Sequence, residues 1–323
     1  MAINNSIPSL NDIKKAGQRI EPYAHRTPVF TSHYYNELTG GEIYFKCENF
    51  QKMGAFKFRG ACNAVFKLTD KEAEKGVATH SSGNHAQALS LAAKLRTIPA
   101  YVVMPENAPK VKIDAVRQYG AEITFCESTL EARESTLQSV IRKNGACFIH
   151  PYNNPDIIAG QGTSALELLN EIPDLDIILV PVGGGGLLSG TAIAAKNLKR
   201  NIKVYGSEPE QADDAYRSFK TSRLIKINQT NTVADGLRTS LGNLTFKIIR
   251  KYADDILTVS EASIIKNMRT FWERMNMIIE ASSAVPVSAL VDNNFKTERK
   301  KIGIIITGGN ADLNRLPWQI KQV

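Results

Sequence analysis

An unbroken apolar run, Ile177-Ile178-Leu179-Val180, leads through Pro181 and Val182 into four consecutive glycines, Gly183-Gly184-Gly185-Gly186. The residues that follow, 187–198, have the apolar character of a buried helix. A strand without polar alternation is buried on both faces, which points to a parallel sheet covered by helices. The glycines constrain the chain further. Bare backbone at the end of such a strand lets amides approach an anion, and the helix that starts there adds the positive end of its dipole. A tight turn needs fewer glycines, so the run reads as a phosphate cradle. It does not match G-x-G-x-x-G, and no P-loop Lys-Ser/Thr follows. A single-phosphate cofactor therefore fits better than a dinucleotide or a nucleoside triphosphate.

The same strand-helix rhythm runs through much of the chain. Residues 76–80, 101–104, 121–125 and 147–150 read as short strands, with helices over 86–95, 109–119 and 130–142 between them. Further on, 160–171 and 261–277 read as helices, and 202–207 and 302–307 as strands. Upstream, Leu10, Ile13, Ala16 and Ile20 have helical spacing, 43–47 reads as a strand, and a helix begins just after Lys57. Residues 211–235 are polar and read as irregular surface. The expectation is an α/β fold with two parallel-rich twisted sheets covered by helices. Residues 1–75 and 151–323 would form a large cofactor-binding domain, and 76–150 a small substrate-closing domain.

Composition excludes several function classes. At 323 residues and 43% hydrophobic, the chain can bury more than one core. The net charge is +8, but the lysines are scattered and no basic run is interleaved with aromatics, so nucleic acid is not an expected partner. A basic surface would instead attract anionic substrates and cofactors. No apolar stretch reaches membrane-spanning length, and the first fifteen residues lack a secretory core. Cys47, Cys62, Cys126 and Cys147 form no CxxC pair and fit reduced cysteines in the cytoplasm.

Three short stretches carry the chemistry. Lys57 sits between Phe56 and Phe58, and desolvation there would lower its pKa and free its amine to form an imine. Ser81-Ser82-Gly83-Asn84-His85 places hydroxyls and amides at the carboxyl end of a strand, where α/β sheets bind ligands. Ser82 and Asn84 equally suit helix capping, and the turn alone does not choose. Thr307-Gly308-Gly309-Asn310 is a third strand-to-glycine exit. An imine-forming lysine, a phosphate cradle and a polar pocket of carboxylate size together suggest pyridoxal phosphate.

In this order the motifs resemble the fold-type II pyridoxal-phosphate enzymes, specifically the serine racemase and catabolic threonine (serine) dehydratase group. The likeness rests on residues 45–52, 54–60, 81–87, 159–163, 183–188 and 307–310 and covers nearly the whole chain. It implies a tryptophan synthase β-like fold with the cofactor between the domains. Lys57 would hold the cofactor covalently, Gly183, Gly184, Gly185, Gly186 and Leu187 its phosphate, and Asn84 its ring hydroxyl. Phe56 would pack on the ring and Thr307 face the pyridine nitrogen. A hydroxyl cannot stabilise a pyridinium as a carboxylate does, which favours prompt elimination. Lys57 and Ser82 would be catalytic, with Ser82 exchanging a proton on the opposite face. Ser81, Ser82, Gly83, Asn84 and His85 would hold the substrate, together with Arg133, Tyr152 and Thr239. Glu208, the Ala212 carbonyl and Asp214 match the family's divalent-cation site, suited to Mg²⁺ or Ca²⁺.

The resemblance thus implies an ammonia-lyase that converts L-serine or L-threonine to a 2-oxo acid and ammonia, with room for serine racemisation. Alternatives are a threo-3-hydroxyaspartate ammonia-lyase, a serine racemase proper, and a non-catalytic anion- or nucleotide-binding protein, which would have no use for Lys57. A homodimer acting on a small β-hydroxy amino acid is expected. Met53 and His33 replace small hydroxyl residues linked to ATP in animal racemases, and Tyr152 replaces an asparagine. Ala281 stands where proline is common, and the stretch after it looks more like bacterial dehydratases and hydroxyaspartate ammonia-lyases. Arg238 is an added arginine that could read a β-carboxylate or equally be a surface residue. The sequence ends shortly after Gly309, as in the catabolic, single-unit enzymes.

Overall fold

A computed structural model describes residues 6–108, 110–227, 230–292 and 296–319. Ten strands are present among them: β1 (Val29–Thr31), β2 (Glu42–Cys47), β3 (Val77–His80), β4 (Ala100–Pro105), β5 (Glu122–Cys126), β6 (Cys147–Phe148), β7 (Ile177–Pro181), β8 (Lys203–Pro209), β9 (Asp255–Val259) and β10 (Lys301–Ile306). They form two sheets. One has the order β1-β2-β10-β7-β8-β9 and is parallel except for the antiparallel edge strand β1. The other, β5-β4-β3-β6, is wholly parallel and is built only from residues between 77 and 148. The apolar strand that ends in the glycines, β7, lies in the middle of the larger sheet with every residue buried.

Central position explains the composition of these strands. β7 and β10 have neighbours on both edges and helices on both faces, so neither face tolerates polar side chains. The helix Pro155–Glu171 ties the lysine segment to the glycine segment. Near-contact at Gly60 and Gly160 seats it on the helix Lys57–Lys67, and Gly162 opposite Gly190 seats it on the helix Gly186–Leu198. A Cβ on Gly162 would lie 2.8 Å from the Gly190 carbonyl, so glycine sets how closely these helices approach. This helix starts earlier than its glycines suggested, at Pro155. Asn154 caps it by accepting from the amides of Asp156 and Ile157.

One stretch departs from expectation more strongly. Residues 211–235, read as irregular surface, hold the helix Asp214–Thr221, with Asp214, Ala215 and Ser218 buried. Its polar positions are turned inward and its amphipathic pattern is short. Pro109 of the expected helix 109–119 lies outside the described residues, and that helix spans Lys110–Gln118. All four cysteines are free, and Cys147 is only half-buried. Among the described residues no helix is long and apolar enough to cross a membrane.

Candidate active site

The carboxyl ends of β2, β10 and β7 are neighbours in the larger sheet, and the three loops leaving them carry Lys57, Thr307 and the glycine run. Backbone bonds lock the first two together. The Phe56 amide donates to the Thr307 carbonyl at 2.9 Å, and Ala55 bridges Gly308. Gly54, at φ +74°, accepts from the Gly309 amide at 2.9 Å. A side chain at Gly54 would press on Asn310, and few residues but glycine adopt that backbone.

Lys57 is the first residue of its helix and half-buried. Its Nζ donates to the Pro151 carbonyl at 3.2 Å and lies 5.2 Å from the Phe56 ring centroid. Burial disfavours the ammonium and lowers the pKa to about 8, against the opposing pull of the Glu280 carboxylate. Only Phe56 flanks the amine. Phe58 is fully buried in the core beside the smaller sheet.

The turn after β3 meets the larger sheet through Asn84. Its amide nitrogen donates to both oxygens of Glu280 at 3.0 Å, and its carbonyl accepts from Asn310 at 2.9 Å. Glu280 is buried, and burial with the nearby Asp235 charge raises its pKa to about 7. Ser81, Ser82, Gly83 and Asn84 are half-buried, and Ser81 accepts from the Gly83 amide. His85 is buried, its Nδ1 has no hydrogen-bond partner, and burial holds its pKa well below the ordinary value. His150 is shifted the same way. Burial lowers its pKa to about 3, and its Nδ1 accepts from the amides of Tyr152 and Asn153.

The helices that begin after Gly83 and Gly185 have no side-chain cap. Ser9, Thr69, Thr129, Asn154 and Ser260 cap other helix starts, whereas those at His33, Lys57 and Asp214 lack a side-chain cap as well. The starts after Gly83 and Gly185 keep amides for an anionic ligand. Gly185 has φ +83°, and a Cβ on Gly184 would overlap the Tyr152 ring. Tyr152 in turn accepts from the Thr239 hydroxyl at 3.1 Å, which brings both expected substrate residues to the glycine run. Leu187 follows in the first turn of the helix and is buried. These residues fit a phosphate-bearing cofactor: the helix start has no side-chain cap, and the run carries no side chains of its own.

Thr307 is buried, with its hydroxyl 2.9 Å from that of Ser283. Ser283 donates to the Gly308 carbonyl and accepts from the Gly308 amide, both at 2.8 Å. At Thr307 the β10 exit is finished by hydroxyls, while the Glu280 carboxylate, held by Asn84, stands beside Gly308. Two arginines are bonded within their own segments. Arg238 donates through Nε and Nη2 to the Thr232 carbonyl, so its guanidinium is spent on its own loop. Arg133 donates from Nε to the Thr129 carbonyl at the start of its own helix.

Glu208 and Asp214 are both buried, and burial, with each near the other's charge, raises Glu208 well above the usual range; burial moves Asp214 to about 6. Asp214 Oδ2 has no hydrogen-bond partner. Among the described residues no group of three His, Cys, Asp or Glu side chains gathers to hold a metal, so side chains alone do not complete a cation site. Sequence reasoning missed Glu280, Ser283, Lys112 and Asp235. Each is a single polar residue whose partner is distant in the chain, so no local pattern marks it.

Known proteins resemble this chain in sequence and fold. The sequence model of the family described as "Pyridoxal-phosphate dependent enzyme" matches residues 20–308. A serine racemase of Dictyostelium discoideum is 53% identical over 312 residues, covering 95% of this chain and 96% of the relative. A beta-hydroxyaspartate dehydratase of Paracoccus denitrificans is 50% identical and covers 97% of this chain and 99% of the relative. The solved structure of maize serine racemase superposes with a TM-score of 0.94 at 45% identity, with 97% of each chain covered. By its motifs, its two sheets and these relatives, the chain belongs to the fold-type II pyridoxal-phosphate dependent enzymes.

Proposed function

We propose that the protein is an ammonia-lyase for β-hydroxy amino acids, converting L-serine and L-threonine to a 2-oxo acid and ammonia, with serine racemisation as a second outcome of the same proton removal. The observation that carries this reading is Lys57, a half-buried amine at the start of its helix whose Nζ donates to the Pro151 carbonyl beside the Phe56 ring, and whose pKa burial lowers. Lys57, residues 183–187, Asn84 and Thr307 would hold pyridoxal phosphate, which when bound supplies an electron sink that acidifies the substrate's Cα–H bond.

The chain's own residues then divide the work. The uncapped amides after Gly83, with Ser81 and His85, orient the substrate carboxylate. Lys57 Nζ takes the Cα proton, because a pKa near 8 leaves part of the amine free at neutral pH. The β-hydroxyl takes up a proton and leaves as water, and the enamino acid so formed is hydrolysed by water, after release, to the 2-oxo acid and ammonia. Ser82 is the group assigned to return a proton to Cα, and return there yields the other enantiomer instead of the 2-oxo acid. The hydroxyl pair Thr307–Ser283 offers no negative charge near the cofactor's ring nitrogen, which supports elimination over a long-lived carbanion.

We further infer that Glu208, the Ala212 carbonyl and Asp214 hold a divalent cation. Two buried carboxylates, one with an unpartnered oxygen, call for a compensating positive charge. Mg²⁺ or Ca²⁺ should raise the melting temperature of the wild type and leave that of Asp214→Asn unmoved; equal shifts in both would place the ion elsewhere. The reading as a whole is tested on the holoenzyme by measuring 2-oxo acid from L-serine, L-threonine and threo-3-hydroxyaspartate, with chiral analysis of the remaining serine. Absence of both 2-oxo acid and D-serine would overturn it.

A further inference from the structure

Lys112 and Asp235 form an ion pair that reaches between the two sheets. Lys112 lies on the helix Lys110–Gln118, which runs between β4 and β5 of the smaller sheet. Asp235 opens the short helix Asp235–Leu237, held to the larger sheet's side where the Gly236 amide donates to Ser282. The lysine is nearly buried, with 12% of its side chain exposed, whereas its partner carboxylate is 43% exposed. Its ammonium lies 3.9 Å from where a Cβ on Gly83 would stand, at the turn assigned to the substrate carboxylate. Asp235 and Lys112 are also both electrostatic neighbours of buried Glu280, to which Asn84 donates.

A nearly buried ammonium needs a carboxylate. Here the protein provides one from the larger sheet's side, on a short element whose carboxylate faces solvent. A substrate that brings a second carboxylate can take over that role, because one carboxylate replaces another and charge pairing is kept. A substrate with only a hydroxyl or methyl at Cβ has nothing to offer Lys112 and leaves the pair as it is. The two arginines that could compete for this role are bonded to carbonyls of their own segments.

We propose that Lys112 is the specificity-determining residue for amino acids with a β-carboxylate, and that Asp235 is the internal carboxylate such substrates displace. The proposal rests on the ammonia-lyase reading above and deepens it to a substrate class, the 3-hydroxylated amino dicarboxylates. It requires opposite effects from the two partners. In holoenzyme, Lys112→Met should lower the ratio of kcat/KM for threo-3-hydroxyaspartate over L-serine by about tenfold or more, and Lys112→Arg should largely preserve it. Asp235→Asn, which removes the competing carboxylate, should raise the same ratio.

A readout without turnover accompanies this. Succinate, a dicarboxylate with no amine, should raise the melting temperature of wild-type holoenzyme more than propionate does, and Lys112→Met should lose that excess. If both variants shift the two substrates together, the pair is a clasp between the sheets and the proposal fails. If wild type turns over serine but the ratio and the succinate effect ignore both substitutions, the proposal fails while the lyase reading stands. If wild type releases no 2-oxo acid from either substrate, the lyase reading fails, and loss or retention of the succinate excess in Lys112→Met still decides the role of Lys112. Should Lys112→Met not fold, Lys112→Arg and Asp235→Asn decide through the ratio.

Discussion

Arg59 stands two residues after Lys57 in the same helix and is fully buried. It donates to Glu48 through Nε at 2.7 Å and Nη2 at 2.8 Å, and to Glu167 through Nη1 at 2.6 Å and Nη2 at 2.8 Å. Glu167 also receives Lys46, but Glu48 keeps only the Thr27 hydroxyl if Arg59 is lost. Arg59→Met keeps the volume and leaves Glu48 as a buried charge with no cation. Breaking a buried pair this way costs about 3–5 kcal/mol. The Glu167 side chain is 23% exposed, so solvent recovers part of its share and the lower end, about 3 kcal/mol, applies. At roughly 2.1 cal/mol/K per residue over 323 residues, unfolding entropy is about 0.7 kcal/mol/K, so the melting temperature should fall by about 4 °C. Differential scanning calorimetry of Arg59→Met, Glu48→Gln and the double variant gives the check. The double variant should be more stable than Arg59→Met, because the stranded charge is gone. A single variant within about 1 °C of wild type, or strictly additive losses, would refute the reasoning. Acid should expose the same network. Burial raises the Glu167 pKa, but Arg59 and Lys46 outweigh it and hold it below the usual range. Its stabilising share is therefore full above the ordinary glutamate pKa of about 4.3 and disappears as pH falls through the lowered value.

Other outcomes are expected. The rate at which cofactor-free protein takes up pyridoxal phosphate should rise with pH and level off above about 8, since only the free amine of Lys57 attacks; Lys57→Ala should never develop the cofactor's visible absorption, and a pH-independent rate would contradict the assignment. Gly184→Ala should lose cofactor by dialysis far faster than wild type, because the new methyl overlaps the Tyr152 ring, and full retention would remove the glycine run from the cradle. Ser82→Ala should stop racemisation, followed by chiral chromatography, while elimination from L-serine continues; equal loss of both would give Ser82 a structural role.

How much of this could be read from the residues depended on how far apart the interacting parts lie. β7 was legible because a central strand buried on both faces must be apolar throughout, and its glycine exit because an uncapped helix start has a local signature. The helix Ala281–Asp292 was not. Residues 281–290 are all buried, so it has no polar face and no amphipathic period, and Pro286 sits inside it. Ser283, which completes the Thr307 hydroxyl pair, was hidden with it. Buried charge was harder still. Glu48, Arg59 and Glu167 read as surface residues one at a time, and only the fold, which brings positions 108 residues apart into contact, shows them as one network. The same holds at the cleft. Lysine 112 and aspartate 235 are 123 positions apart, and nothing near either announces the other. Arg238 could be read as a reader of a β-carboxylate or as a surface residue, and the fold ties its guanidinium to the Thr232 carbonyl. Chemistry common to the family is written in contiguous motifs, because cradles and turns are made of consecutive backbone. On the proposal made above, choice among substrates rests instead on Lys112 and Asp235, a pair from distant parts of the chain that only the fold brings together.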